Sequence, residues 1–328
     1  MKSTVTNLAT DFIANRDAIK EAFSMESVYM IPVCAAVFTD KGKLADVRQL
    51  KECNRILKEK TGAFSGFRGT AKLSMIAMMG VAANPEILLQ NSIMVYGALK
   101  EYFWGSAYLP VASMILAEAV EPHRYHEAAA KAKEIYEMMK KEHPFLTSSE
   151  DSVFAVLLAL SNRSTEEIVE ETETCYKLLK TRFSSSNAVQ SLSHVLALGD
   201  GDAAEKCQRT IDLYEKLQKS GCKYGTSYEL ATLGVLALIP DELEEIVREV
   251  VAVDAFLAEQ KGYGVFGPGK KQRLMHAGMI VTSGYTREQE SPVMSTAAIG
   301  GTISLIAAQQ AAMCAAIAAS AAASSASS

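Results

Sequence analysis

The chain has 328 residues, 49% of them apolar and 22% charged, with a formal net charge of −5. This composition excludes a disordered, collagenous or disulfide-stapled protein, and a globular chain of this length buries about three quarters of its unfolded surface without a metal or disulfide staple. With 33 basic against 38 acidic residues there is no broad positive field for a phosphate backbone, so no nucleic-acid partner is expected.

The opening MKSTVTNLATDF lacks the apolar stretch and small-residue cleavage site of a secretory signal, and a helix is predicted over residues 4–23. The cysteines, Cys34, Cys53, Cys175, Cys207, Cys222 and Cys314, are widely spaced and include no C-x-x-C pair. Both features lead us to expect reduced thiols and a cytoplasmic location.

Beyond the first helix the chain repeats itself. The phrases IMVYGALK, EIYEMMKK, TCYKLLKT and DLYEKLQK place Tyr96, Tyr136, Tyr176 and Tyr214 at spacings of 40, 40 and 38, and the frame extends back to Asn54 and on to Asp254. Each unit runs from a very apolar stretch through an acidic or Pro-marked break to an amphipathic stretch ending in Lys or Arg. That grammar describes a helical hairpin, with an apolar inner helix and a two-faced outer one. Hairpins are predicted at 24–65, 66–105, 106–147, 148–185, 186–225 and 226–267, with a less regular seventh from 268. Outer helices are expected to begin at Asn84–Pro85, Glu121–Pro122 and Pro240–Asp241, and a capping box is expected at Ser164 and Glu167. The fold class is therefore all-α, with six to seven tandem hairpins of about 40 residues. Inner helices this apolar favour a closed or nearly closed α/α ring, with an open α-solenoid as the alternative. Residues 1–290 are expected to form this single domain.

Stacked hairpins place the first turns of the inner helices on one rim. There the sequence is more polar than packing requires: Arg68, Tyr108, Glu150, Asp151, Asn187, Gln190, Tyr228, Glu229, and the run Lys270, Lys271, Gln272 and Arg273. His194 lies a turn deeper. Such a rim suits a polar ligand or peptide. Asp151 and Glu229 hold equivalent places two units apart, which makes them, with His194, the candidates for general acid and base work. Acids in first turns also cap helices, and a histidine in a buried helix is also satisfied by a neighbouring hydroxyl.

Three patterns carry less. GYGVFGPGKK contains a G-x-G-x-x-G spelling, but a helix, not a strand, precedes it, and Lys271 stands where magnesium binding needs Ser or Thr. What survives is a Gly loop leading to a helix N-terminus with basic residues, able to hold an anion. His123 and His126 make only two ligands on an exposed turn, so no metal and no cofactor are expected. Trp104, beside Tyr102 and Phe103 in a hairpin turn, is expected to pack into the core.

The tail, residues 291–328, is set apart by 27 uncharged residues at 297–323. Gln309 and Gln310 in its middle disfavour membrane insertion. Ile299, Ile303, Ile306, Gln310, Met313 and Ile317 form one seam, predicting an Ala-smooth helix that docks on the body or self-associates, ending in a disordered SAAASSASS.

The segments TGAFSGFRG, HPFLTSSEDSVFAVLLALS, NAVQSLSHVLALG, KYGTSYELATLGVLAL and GKKQRLMHA resemble a bacterial family known only as domain of unknown function 4003. The resemblance spans residues 5–320 and implies a cytosolic helical protein, with no assigned activity. Two readings follow from the residues themselves: a helical-repeat binding or scaffold protein using the rim, and, alternatively, an enzyme using rim carboxylates on a saccharide-like or anionic substrate.

Overall fold

The computed structural model describes residues 1–63, 65–69, 71–104, 108–264, 267–289 and 313–317. Among them every regular element is a helix, and none is long and apolar enough to cross a membrane. The chain divides into two compact units. An N-unit comprises Asn15–Glu170 and Ile317–Ser328, and a C-unit comprises Met1–Ala14 and Glu171–Ala316.

In the N-unit, the end of α1 (Ser3–Ala22) leads into α2 (Met30–Asp40), α3 (Val47–Lys60), α4 (Lys72–Val81), α5 (Pro85–Lys100), α6 (Leu109–Ala119), α7 (Tyr125–Glu142), α8 (Ser152–Ala159) and the start of α9 (Thr165–Lys180). In the C-unit the rest of α9 is followed by α10 (Ser186–Leu198), α11 (Ala203–Lys219), α12 (Leu230–Leu238), α13 (Leu243–Ala258) and α14 (Lys270–Gln289). Even-numbered helices from α2 to α12 are short and apolar; all eight residues of α8 are buried. The odd-numbered partners bury one stripe, as Leu50, Cys53 and Leu57 do in α3. A helix apolar on all sides can be stable only when neighbours cover all of it, and a two-faced helix supplies the cover.

Local chemistry sets the boundaries. Asn84 Oδ1 accepts from the amides of Glu86 and Ile87, with Pro85 in the first turn of α5. Ser164 and Glu167 form the reciprocal box, at 2.9 and 3.2 Å, and Asp202 accepts from Ala204 and Glu205. Each satisfies first-turn amides that have no partner inside the helix. Two starts differ from expectation. Pro122 opens a 3-10 turn, Pro122–Arg124, before α7 begins, and α13 begins at Leu243 rather than at Pro240, since its chain is still extended at Glu242.

Tyr96, Tyr136, Tyr176 and Tyr214 each stand twelfth in α5, α7, α9 and α11, and Asp254 stands twelfth in α13; Asn54 stands eighth in α3. Three of these tyrosines receive the joint that precedes their hairpin. Phe67 meets Tyr96 edge-on at 5.2 Å, Phe103 meets Tyr136 at 5.4 Å, and Phe183 meets Tyr214 at 5.2 Å. Edge-to-face contact sets a positive ring edge on a negative face. Lys133 and Arg182 approach the second and third of these ring pairs, and Lys100 approaches Tyr96.

All six cysteines are free and buried. Of the tail, only residues 313–317 fall among those described: they are helical and buried. The remainder of the predicted seam, and the SAAASSASS end, lie outside the described residues.

Candidate functional site

The predicted rim residues sit at joints from an outer helix into an inner one or in the first turn of the inner helix, except Gln190 and His194, which lie further along α10. In the N-unit, the Arg68 guanidinium folds back on the end of α3. It donates to the carbonyls of Lys58 and Thr61, and Nε reaches Thr61 Oγ1 at 3.2 Å. These are the carbonyls a helix C-terminus leaves open, so a cation there both satisfies them and meets the negative end of the dipole. Tyr108 is the half-buried residue that precedes α6. Asp151 is 7% exposed, and its carboxylate accepts from the Ser148 amide at 2.7 Å and the Ser148 hydroxyl at 3.4 Å. It closes the turn of the short 3-10 helix Ser149–Asp151, which also contains Glu150.

In the C-unit, Glu229 does at α12 what Asp151 does at α8. It is 4% exposed and accepts from the Ser227 amide at 3.1 Å. Its carboxylate lies so close to the backbone of Gly225 that a Cβ there would overlap it. Asn187 is exposed in the first turn of α10, while Gln190 and His194 are buried on that helix. Ser193 Oγ donates to the Gln190 carbonyl at 2.8 Å.

The structure brings together the residues of the α11–α12 joint and the start of α14. Gln272 Nε2 donates to Tyr228 Oη at 2.7 Å, and Gln272 Oε1 accepts from the Gly269 amide at 3.2 Å. Lys270 Nζ donates to the Gly221 carbonyl at 3.1 Å. Lys270 and Lys271 are exposed; Tyr228 and Gln272 are half-buried. Arg273 turns inward onto Asp254, with Nε–Oδ1 at 2.7 Å and a second bond at 3.1 Å. This bidentate contact holds the guanidinium charged, above its ordinary range. Residues 265–266 of the Gly-rich loop lie outside the described residues.

Several polar groups escaped the sequence reading. Behind the α14 surface, Tyr263 Oη and His276 Nδ1 are 2.8 Å apart, and Tyr224 Oη and Thr232 Oγ1 are 2.7 Å apart. All four residues are buried, and burial raises the Tyr224 phenol well above its usual value. Lys206 is buried beside Glu171 and donates to the carbonyls of Leu196 and Gly199. Their signal in the sequence was only a polar residue on an otherwise apolar face, and the partner lies in another helix or loop.

Trp104 does not pack into the core: it is 94% exposed, while its neighbour Phe103 turns inward to Tyr136. His123 and His126 are exposed, and His126 Nδ1 lies 3.7 Å from Glu101. Among the described residues no three His, Cys, Asp or Glu side chains gather as a metal site would require.

A family described as "Protein of unknown function (DUF4003)" matches residues 15–311. The chain is also similar to "Uncharacterized protein YeaA" of Bacillus subtilis (strain 168), with 24% identity over 305 residues that cover 90% of this chain and 88% of the relative. No solved structure matches.

Proposed function

Given that the chain belongs to this family of proteins of unknown function, we propose that it is a tandem array of six to seven helical hairpins acting as a binding module, which holds a polar ligand or peptide on the C-unit surface formed by the starts of α12 and α14. The repeat reading is supported by the tyrosine register and the recurring Phe–Tyr contacts. The binding reading is carried by one observation: Gln272 and Tyr228, from different helix starts, are joined at 2.7 Å on an accessible surface beside Lys270 and Lys271. A phenol and an amide that orient each other are a preorganised pair of hydrogen-bonding groups, and two ammonium groups beside them favour an anionic or strongly dipolar ligand. Catalysis draws less support, because Asp151 and Glu229 each spend their carboxylate on an amide of their own turn.

The test is a thermal-shift panel of polar metabolites and short acidic peptides on the full chain, repeated with Tyr228→Phe, Gln272→Ala and Lys271→Gln. The expected result is stabilisation by one chemical class that is reduced in all three variants. Stabilisation that none of the variants alters, or no stabilisation by any member, would overturn this reading.

A further inference from the structure

Among the described residues, the three most exposed large apolar side chains of the N-unit lie at one rim. Met25 is 97% exposed, Trp104 94% and Phe145 99%; the next most exposed large apolar side chain, Leu44, is at 62%. The three lie on the α1–α2, α5–α6 and α7–α8 joints, each between the end of an outer helix and the start of an inner one. Phe64, on the intervening α3–α4 joint, lies outside the described residues.

These joints are neighbours. Glu26, on the α1–α2 joint, pairs with Lys72 of α4 at 3.0 Å. Ser74 Oγ donates to Met30 Sδ at 3.3 Å, which sets the starts of α2 and α4 side by side. Gly66 lies against Tyr96 of α5 and Pro110 of α6, and Phe103 lies on Tyr136 of α7. Side-by-side helices stand about 10 Å apart, so the apolar side chains form a row of separate tips. Behind them the last turns of the outer helices carry Lys20, Lys58, Lys100, Lys140 and Lys141, all exposed and, among the described residues, none in an ion pair, while Lys60 pairs with Glu86. The acids on the same turns are Glu21, Glu59, Glu101 and Glu142, of which Glu59 and Glu101 face Arg55 and His126.

A side chain more than nine-tenths exposed has no wall of its own protein beside it. A folded partner would need a separate pocket for each tip at matching spacing. A bilayer interface accepts tips at any spacing, engulfs them from all sides, and selects aromatic residues at headgroup depth. We propose that this rim of the N-unit seats on an anionic lipid surface, with Met25, Trp104 and Phe145 entering the boundary between headgroups and acyl chains and the lysines facing the headgroup charge. The contact is peripheral and involves no spanning helix. It goes beyond the C-unit surface proposed above and does not depend on it.

Trp104 is the sole tryptophan, so its emission reports on the rim alone. The full chain is sedimented with vesicles of phosphatidylcholine, with and without phosphatidylserine, while Trp104 emission is followed. The expected result is binding only to the phosphatidylserine vesicles, a shift of emission to shorter wavelength, and protection from an aqueous quencher. Phe145→Ser should weaken binding by at least about tenfold, the worth of one buried aromatic, with an unchanged melting curve because the side chain makes no native packing contact. Lys140→Gln with Lys141→Gln should weaken it about thirtyfold, at the usual contribution per surface lysine. No binding to anionic vesicles at low salt would overturn the proposal and leave the row to a protein partner. Binding with unchanged Trp104 emission, or equal binding by Phe145→Ser, would overturn it as well.

Discussion

The joints that feed α4 and α6 are fastened to the twelfth residue of the outer helix that follows, and the start of α14 to the twelfth residue of the outer helix that precedes it, by opposite chemistry. At the first two, a phenylalanine from the joint tucks against the tyrosine twelfth in the next outer helix, Phe67 on Tyr96 and Phe103 on Tyr136. At the last, the twelfth residue of α13 is Asp254, and it grips Arg273 of α14 with two hydrogen bonds. An aromatic contact fastens a joint and leaves its remaining side chains free to be apolar, as Trp104 is. An ion pair fastens a joint and keeps a polar neighbourhood around it, here Tyr228, Gln272 and Lys270. The twelfth position takes the partner in each case, and the residue placed there sets the chemistry of the contact.

Either contact can be removed by substitution. The largest effect is expected from Phe103→Ala, which removes a buried ring and leaves its space; a loss of about 3 kcal/mol in urea unfolding is predicted. Trp104→Ala, one residue on, should change stability by less than about 0.5 kcal/mol. Next, Gly225→Ala should drive the Glu229 carboxylate off the Ser227 amide and cost about 2 kcal/mol. Tyr136→Leu keeps the apolar volume but loses the ring pair, and about 1 kcal/mol is expected.

The smallest effect is a pH dependence. The Ser164 amide and hydroxyl hold the Glu167 carboxyl below its ordinary value of 4.5. A depressed folded-state pKa means that the stabilisation is complete above the ordinary carboxylate range and is lost as pH falls through the folded value. The melting temperature of the wild type should therefore exceed that of Glu167→Gln at neutral pH, and the gap should close progressively below about pH 4.5.

Much of the scaffold was legible because it rests on local rules. The apolar runs became buried helices, Asn84 and the Ser164–Glu167 pair cap where their chemistry says they should, and the tyrosine frame falls on one helical position. The candidate rim was legible only as a set of positions. By sequence Arg273 groups with ligand-facing residues, yet its charge belongs to Asp254, 19 residues away in sequence and adjacent only after α13 and α14 pack. Phe103 and Trp104 are neighbours with the same chemistry on paper. Which one turns inward depends on where Tyr136 stands, and that is settled by tertiary packing. Glu229 could be read as acid, base or cap, and the approach of Gly225 decided its geometry.

The start of α14 is thus held to α13 by a charge pair, where the joints before α4 and α6 are held by rings. A double-mutant cycle in urea unfolding on Asp254→Ala, Arg273→Ala and the double variant tests it most directly. Both side chains are mostly buried, at 10% and 16% exposure. Each single variant should therefore lose about 3 kcal/mol by stranding its partner, and the double variant should lose clearly less than the sum of the two. Strictly additive losses would contradict the account, since they would mean that Asp254 and Arg273 stabilise α13 and α14 independently.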